Sequence, residues 1–178
     1  MVLFWRYGYE ATSLSQLTTA MGFTPPSLYT AFGDKQRLFL EAIERYTRGP
    51  INTAGIMRDA ATAREAVWNL LQAAAVAFTG RDTPPGCMVV ASATNCSPSN
   101  DVVRALIAKI RIENEGLVRD RIQRDIDNGV LPHGTDAPVL ASLFTAVIQG
   151  MSTQARDGAK RSKLLAIAET SMQVFPSI

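Results

Sequence analysis

The sequence predicts an all-α chain made of two helical domains, residues 1–48 and 49–178, and three observations carry that expectation. Residues 13–32, SLSQLTTAMGFTPPSLYTAF, scan as two short helices around a tight turn. Residues 34–48, 62–79 and 101–128 each repeat apolar side chains at helical spacing and end at a Gly or a Gly-Pro stop. The last two segments, 137–156 and 161–175, are apolar over more than one face, so both faces need burial.

Taken in order, Val2 to Tyr7 read as the last turns of an amphipathic helix whose beginning is absent. Gly8 to Thr12 form a link. Ser13 can cap a helix that turns Leu14, Leu17, Thr18 and Met21 to one side. Gly22 stops it, because glycine tolerates positive φ. Thr24 is a second N-cap, with Pro25 at the first helical position. This helix offers Leu28, Ala31 and Phe32 inward and leaves Ser27, Tyr29 and Thr30 outside. Such a pair suits two roles. It is either an αα-hairpin that only packs, or a helix-turn-helix whose second helix enters the major groove of DNA.

Gly33 ends the pair and Asp34 can cap the next helix, whose inner face is Leu38, Phe39, Ala42, Ile43 and Tyr46. Residues 49–62 read as the loosest stretch, and the domain boundary is placed near Gly49. The helix over 62–79 buries Val67, Leu71, Ala74 and Phe78, and Gly80 to Gly86 is a turn cluster. CMVVASAT, residues 87–94, fits a short strand or a short helix equally. The long helix over 101–128 turns Val103, Ile107, Val118 and Ile122 inward and carries Arg119, Asp120, Arg121, Arg124 and Asp125 on an outer, solvated face.

Composition excludes several classes. With 178 residues, 47% hydrophobic and 19% charged, the chain can bury a full core and is not a disordered polymer. Net charge is only +2, so nucleic-acid binding rests on local placement of groups. No apolar run reaches the ~20 residues of a membrane span, and MVLFW lacks the pattern of a signal peptide. Cys87, Cys96 and His133 make neither a metal site nor a catalytic triad, so no cofactor, no metal, no enzymatic activity and a cytoplasmic location are expected.

Tyr7-Gly8-Tyr9-Glu10-Ala11-Thr12-Ser13, the Gly turn, Leu28-Tyr29 with Phe32, and Lys35 together resemble the DNA-binding domain of the TetR/AcrR family of bacterial repressors. The resemblance implies a helix-turn-helix head followed by a helical effector and dimerisation domain, and a helix rather than a strand at residues 87–94. It also implies that a longer first helix and a basic arm are missing before Val2. Thr12 would sit near a phosphate. Tyr29, Lys35 and the amide end of the helix that Thr24 opens would hold phosphates, and Pro25, Pro26, Ser27 and Thr30 would face base edges.

The partners implied are double-stranded operator DNA, near-palindromic and bound by a homodimer, and a small apolar or weakly polar ligand that releases the repressor. Pocket candidates are Trp68, Leu71, Ala75, Phe78 and Met88, then Ile107 and Ile110, then Phe144 and Ile148. Asn95, Cys96, Arg111 and Asn114 are the polar groups able to orient a ligand. Leu140, Leu143, Val147 and Met151, with Leu164, Leu165, Ala168 and Met172, are the expected dimer face. A helical sensor that binds a small molecule without reading DNA, and a helical module that regulates a protein partner, are the competing readings.

Overall fold

The computed structural model describes residues 1–93 and 100–176. Its regular elements there are helices, in the order α1 Val2–Ala11, α2 Leu14–Met21, α3 Pro25–Phe32, α4 Lys35–Thr47, α5 Thr53–Asp59, α6 Ala63–Phe78, α7 Met88–Ala93, α8 Asp101–Asp127, α9 Ala137–Arg156 and α10 Arg161–Ser171. A 3₁₀ turn, Met172–Val174, follows α10 where the sequence pattern predicts a continuous helix to residue 175.

The chain forms two compact units. One comprises Met1–Gly49 and Cys87–Lys109, the other Pro50–Gly86 and Ile110–Ile178. The break after Gly49 lies next to the predicted boundary. Residues 87–109, expected in the second domain, group with the first, because α7 packs on α1 and α4.

In the first unit, α1 does not stop at Tyr7. It continues to Ala11 through a kink at Gly8 (φ 79, ψ 178). Its buried side chains build an aromatic cluster, with the Phe4 and Tyr9 rings meeting Phe39 edge-on at 5.2 and 5.1 Å. Trp5 meets Tyr46 at 4.9 Å. Such pairs add about 0.5–1.5 kcal/mol each beyond area burial, so the short helix draws its stability from tertiary packing. Residues 87–94 resolve in favour of helix as far as they are described, with Met88 and Val89 buried in α7.

The second unit is organised by α6, which packs against α5, α9 and α10. Val67, Leu71, Ala74 and Phe78 on α6, Ile122 on α8, Phe144 and Met151 on α9 and Leu164 on α10 are shut off from solvent. Phe144 stacks on Phe175 at 5.2 Å. Two expectations change here. Residues 53–59 are a helix, opened by an Asn52 side chain that accepts the Gly55 N–H; its seven residues are too short to announce themselves by periodicity.

Arg121 and Asp125 are not on a solvated face. Both are about 97% buried and form an i,i+4 ion pair. Asp125 also accepts the Ala63 N–H at 2.6 Å, at the first turn of α6, while Arg121 donates to the Ala61 carbonyl at 2.8 Å. The pair therefore fastens α8 to the α5–α6 joint. Charge density at 119–125 hid this, since exposed and buried charges look alike in a sequence.

Candidate nucleic-acid interface

The helix-turn-helix holds its geometry with local bonds. Ser13 and Gln16 make a reciprocal capping box: the Gln16 N–H donates to Ser13 Oγ at 3.1 Å and the Ser13 N–H to Gln16 Oε1 at 2.8 Å. Gly22 closes α2 in the left-handed region. Thr24 caps α3 by accepting the Ser27 N–H at 3.3 Å, and its hydroxyl pairs with Ser27 Oγ at 2.8 Å. Leu28 is the residue α3 buries. Ala31, expected inward, is exposed, since a two-turn helix presents too narrow a face to bury all three.

The outward face of α3 is the one the sequence reading picks. Thr24, Pro25, Pro26, Ser27, Tyr29 and Thr30 are all exposed, and Tyr29 keeps 47% of its surface. The amide end of α3, however, has little to offer a phosphate. Pro25 and Pro26 carry no N–H, Ser27 N–H is taken by Thr24 Oγ1, and Leu28 N–H donates to the Thr24 carbonyl. The opening turn of α2 differs: among the described residues, the N–H groups of Leu14 and Ser15 have no partner.

Thr12 also departs from expectation. It is fully buried, and its hydroxyl donates to the Gly8 carbonyl at 2.7 Å and the Leu3 carbonyl at 3.3 Å, which stabilises the α1 kink. Lys35 is half-buried. Its ammonium donates to the Glu10 carbonyl at 3.3 Å and lies 4.5 Å over the Tyr9 ring. Burial pulls its pKa down, and the Glu10 carboxylate pulls the other way.

Residues 1–42 match the family model of bacterial regulatory proteins of the tetR family, and residues 61–167 match a tetracyclin repressor-like C-terminal domain. The chain belongs to the TetR family of bacterial transcriptional regulators. Among relatives, it is 35% identical to the HTH-type transcriptional repressor ComR of Escherichia coli (strain K12), across 100% of this chain and 86% of that protein. It is 29% identical to the repressor BdcR of the same organism, across 99% and 85%. Among solved structures, a cysteine mutant of the TetR-family regulator CifR, complexed with a 26bp double-strand operator DNA, superposes with a TM-score of 0.93 at 38% identity, covering 98% of this chain and 92% of that one. A TetR regulator from Rhodococcus sp. RHA1 is 40% identical, with a TM-score of 0.69 and coverage of 99% and 94%.

For a TetR-family chain the effector and dimer residues matter too. Leu71, Ala75, Phe78 and Phe144 are at 0% exposure, packed inside the second unit. Ile110, Arg111, Asn114 and Ile148 are half-buried in the same unit, whereas Met88 and Ile107 are buried in the other. Trp68 is half-buried and lines a surface cleft with Arg64, Glu65 and Glu169. Asn95 and Cys96 lie outside the described residues. Of the expected dimer face, Met151, Leu164, Ala168 and Met172 are packed inside the second unit. Leu140, Val147 and Leu165 are half-buried, and Leu143 is 39% exposed beside Val139 at 60%.

Proposed function

We propose that the chain is a repressor that binds near-palindromic double-stranded operator DNA as a homodimer, and that a small apolar or weakly polar ligand in the helical domain releases it. The observation that carries this reading is the α3 face: exposed, capped at its start by Thr24, and built of hydroxyls, prolines and one phenol. The operator-bound structure of a relative at 38% identity supports it. In this reading residues 1–48 are the DNA-binding domain and residues 49–178 sense and dimerise, in the cytoplasm.

Pro25, Pro26, Ser27 and Thr30 face base edges, with proline rings against thymine methyls. No Arg, Asn or Gln stands on α3 for bidentate pairing, so DNA shape contributes a large share of selectivity. Tyr29 and Lys35 hold phosphates. The amide contact moves from α3 to the first turn of α2, where Leu14 and Ser15 have N–H groups to give. Dimerisation uses the exposed part of α9, Val139, Leu140, Leu143 and Val147, with Leu165 of α10.

The test is selection of duplexes from a random pool by the full chain, followed by sizing of the complex. Enrichment of an inverted repeat bound by a dimer is the expected result. Enrichment of no sequence at all would sink the reading.

A further inference from the structure

From Ala11 through Gly33 the chain contains no acidic, basic or histidine residue. The whole helix-turn-helix is therefore uncharged, and the α3 amide end is closed by two prolines and its own cap. Yet duplex DNA is a polyanion, and affinity for it comes largely from cations that displace its counterions. Those cations have to stand on the flanks. Lys35 is one, but it is half-buried against α1, on the Glu10 carbonyl and the Tyr9 ring.

Arg37 is differently placed. It is exposed, and it lines one surface cleft together with Tyr29, Thr30 and Gly33 at the end of α3. Its side chain lies across Gly33: a Cβ built on that glycine would sit 3.2 Å from Arg37 Cδ and 3.3 Å from Nη1. Gly33 has φ +80, so the position favours glycine for its backbone, and the missing Cβ also leaves the guanidinium its bed. Among the described residues no carboxylate forms an ion pair with Arg37, although Glu41 lines the same cleft one turn along α4. Asp34 is engaged by the Arg37 backbone N–H at 2.7 Å. The Arg37 guanidinium thus opens onto the same cleft as Tyr29, without an ion-pair partner among the described residues.

We propose that Arg37 is a phosphate-binding residue of the head, which clamps the DNA backbone next to Tyr29 and supplies charge that the helix-turn-helix itself lacks. This rests on the DNA-binding reading above. A guanidinium suits the role because it donates two parallel hydrogen bonds to one phosphate. It positions the duplex and reads no base.

The experiment is anisotropy titration of the full chain on two duplexes, one selected by the wild type and one of shuffled sequence, across a series of salt concentrations. Arg37→Ala is expected to weaken binding to both duplexes by a similar factor, roughly tenfold or more for a dimer with two such contacts, and to flatten the log K against log salt slope by about 0.9 per lost contact. Arg37→Lys keeps the slope, which shows that the charge and not the local fold is responsible. An Arg37→Ala slope equal to the wild type overturns the proposal. So does a changed sequence preference at constant slope, because Arg37 would then be reading bases. Wild-type selectivity surviving in either case leaves the DNA-binding reading standing. A wild type that binds both duplexes equally weakly removes that reading and this proposal with it.

Discussion

The helix-turn-helix and the α6–α8 junction face the same problem, the unsatisfied ends of helices, and differ in how far along the chain the answer comes from. In the first, each cap comes from a neighbour three residues away: Ser13 to Gln16, Thr24 to Ser27. In the second, α6 has a local cap of the same kind, Thr62 accepting the Glu65 N–H, and adds a remote one, Asp125, 62 residues further along the chain, with the arginine that neutralises it. Local capping is uncharged and leaves the surface free for other work. Remote capping buries two charges, and its stability is conditional on both partners being present.

Four variants break or sharpen that contrast. Arg121→Ala leaves the Asp125 charge buried and unpaired, and should cost about 3–5 kcal/mol of unfolding free energy in denaturant melts. Replacing both groups, Arg121→Met with Asp125→Leu, removes the stranded charge. It should recover most of that loss, although the Ala63 N–H loses its acceptor, at about 1–3 kcal/mol. A double variant as unstable as the single one would show that the pair is net stabilising. Ser13→Ala deletes a local cap and should cost about 1 kcal/mol, with the deficit appearing as faster amide exchange in α2. Arg119→Ala removes an exposed pair with Asp120 and should shift stability by under about 0.5 kcal/mol. A larger loss there would mean that the neighbouring surface charges belong to the buried network.

The same contrast explains what the sequence made legible. Caps, glycine stops and Pro25 act over three or four residues, so α2, α3 and α4 could be read directly, and the α3 face that meets solvent followed from them. The burial of Thr12 is not legible, because its bond partners, the Gly8 and Leu3 carbonyls, depend on a kink that only the folded α1 reveals. The amide end of α3 was readable in principle, since two prolines visibly remove two donors. Arg121 and Asp125 were not, because an Arg-x-x-x-Asp pair reads as a solvated helix face whenever its long-range partners are unknown. The burial of Met151, Leu164, Ala168 and Met172 within the second unit is hidden for a related reason. A helix apolar all round declares that both faces are covered, but not by which neighbour.

Pro25 and Pro26, with the Thr24–Ser27 pair beside them, have one more consequence. The φ angles at the tip of α3 are set by covalent rings, and the hydroxyls there are already bonded to each other. That tip has few alternative shapes to give up when it docks. Complex formation at this surface should therefore resemble a key entering a cut slot, with rapid encounter and little heat-capacity signature of ordering in the head.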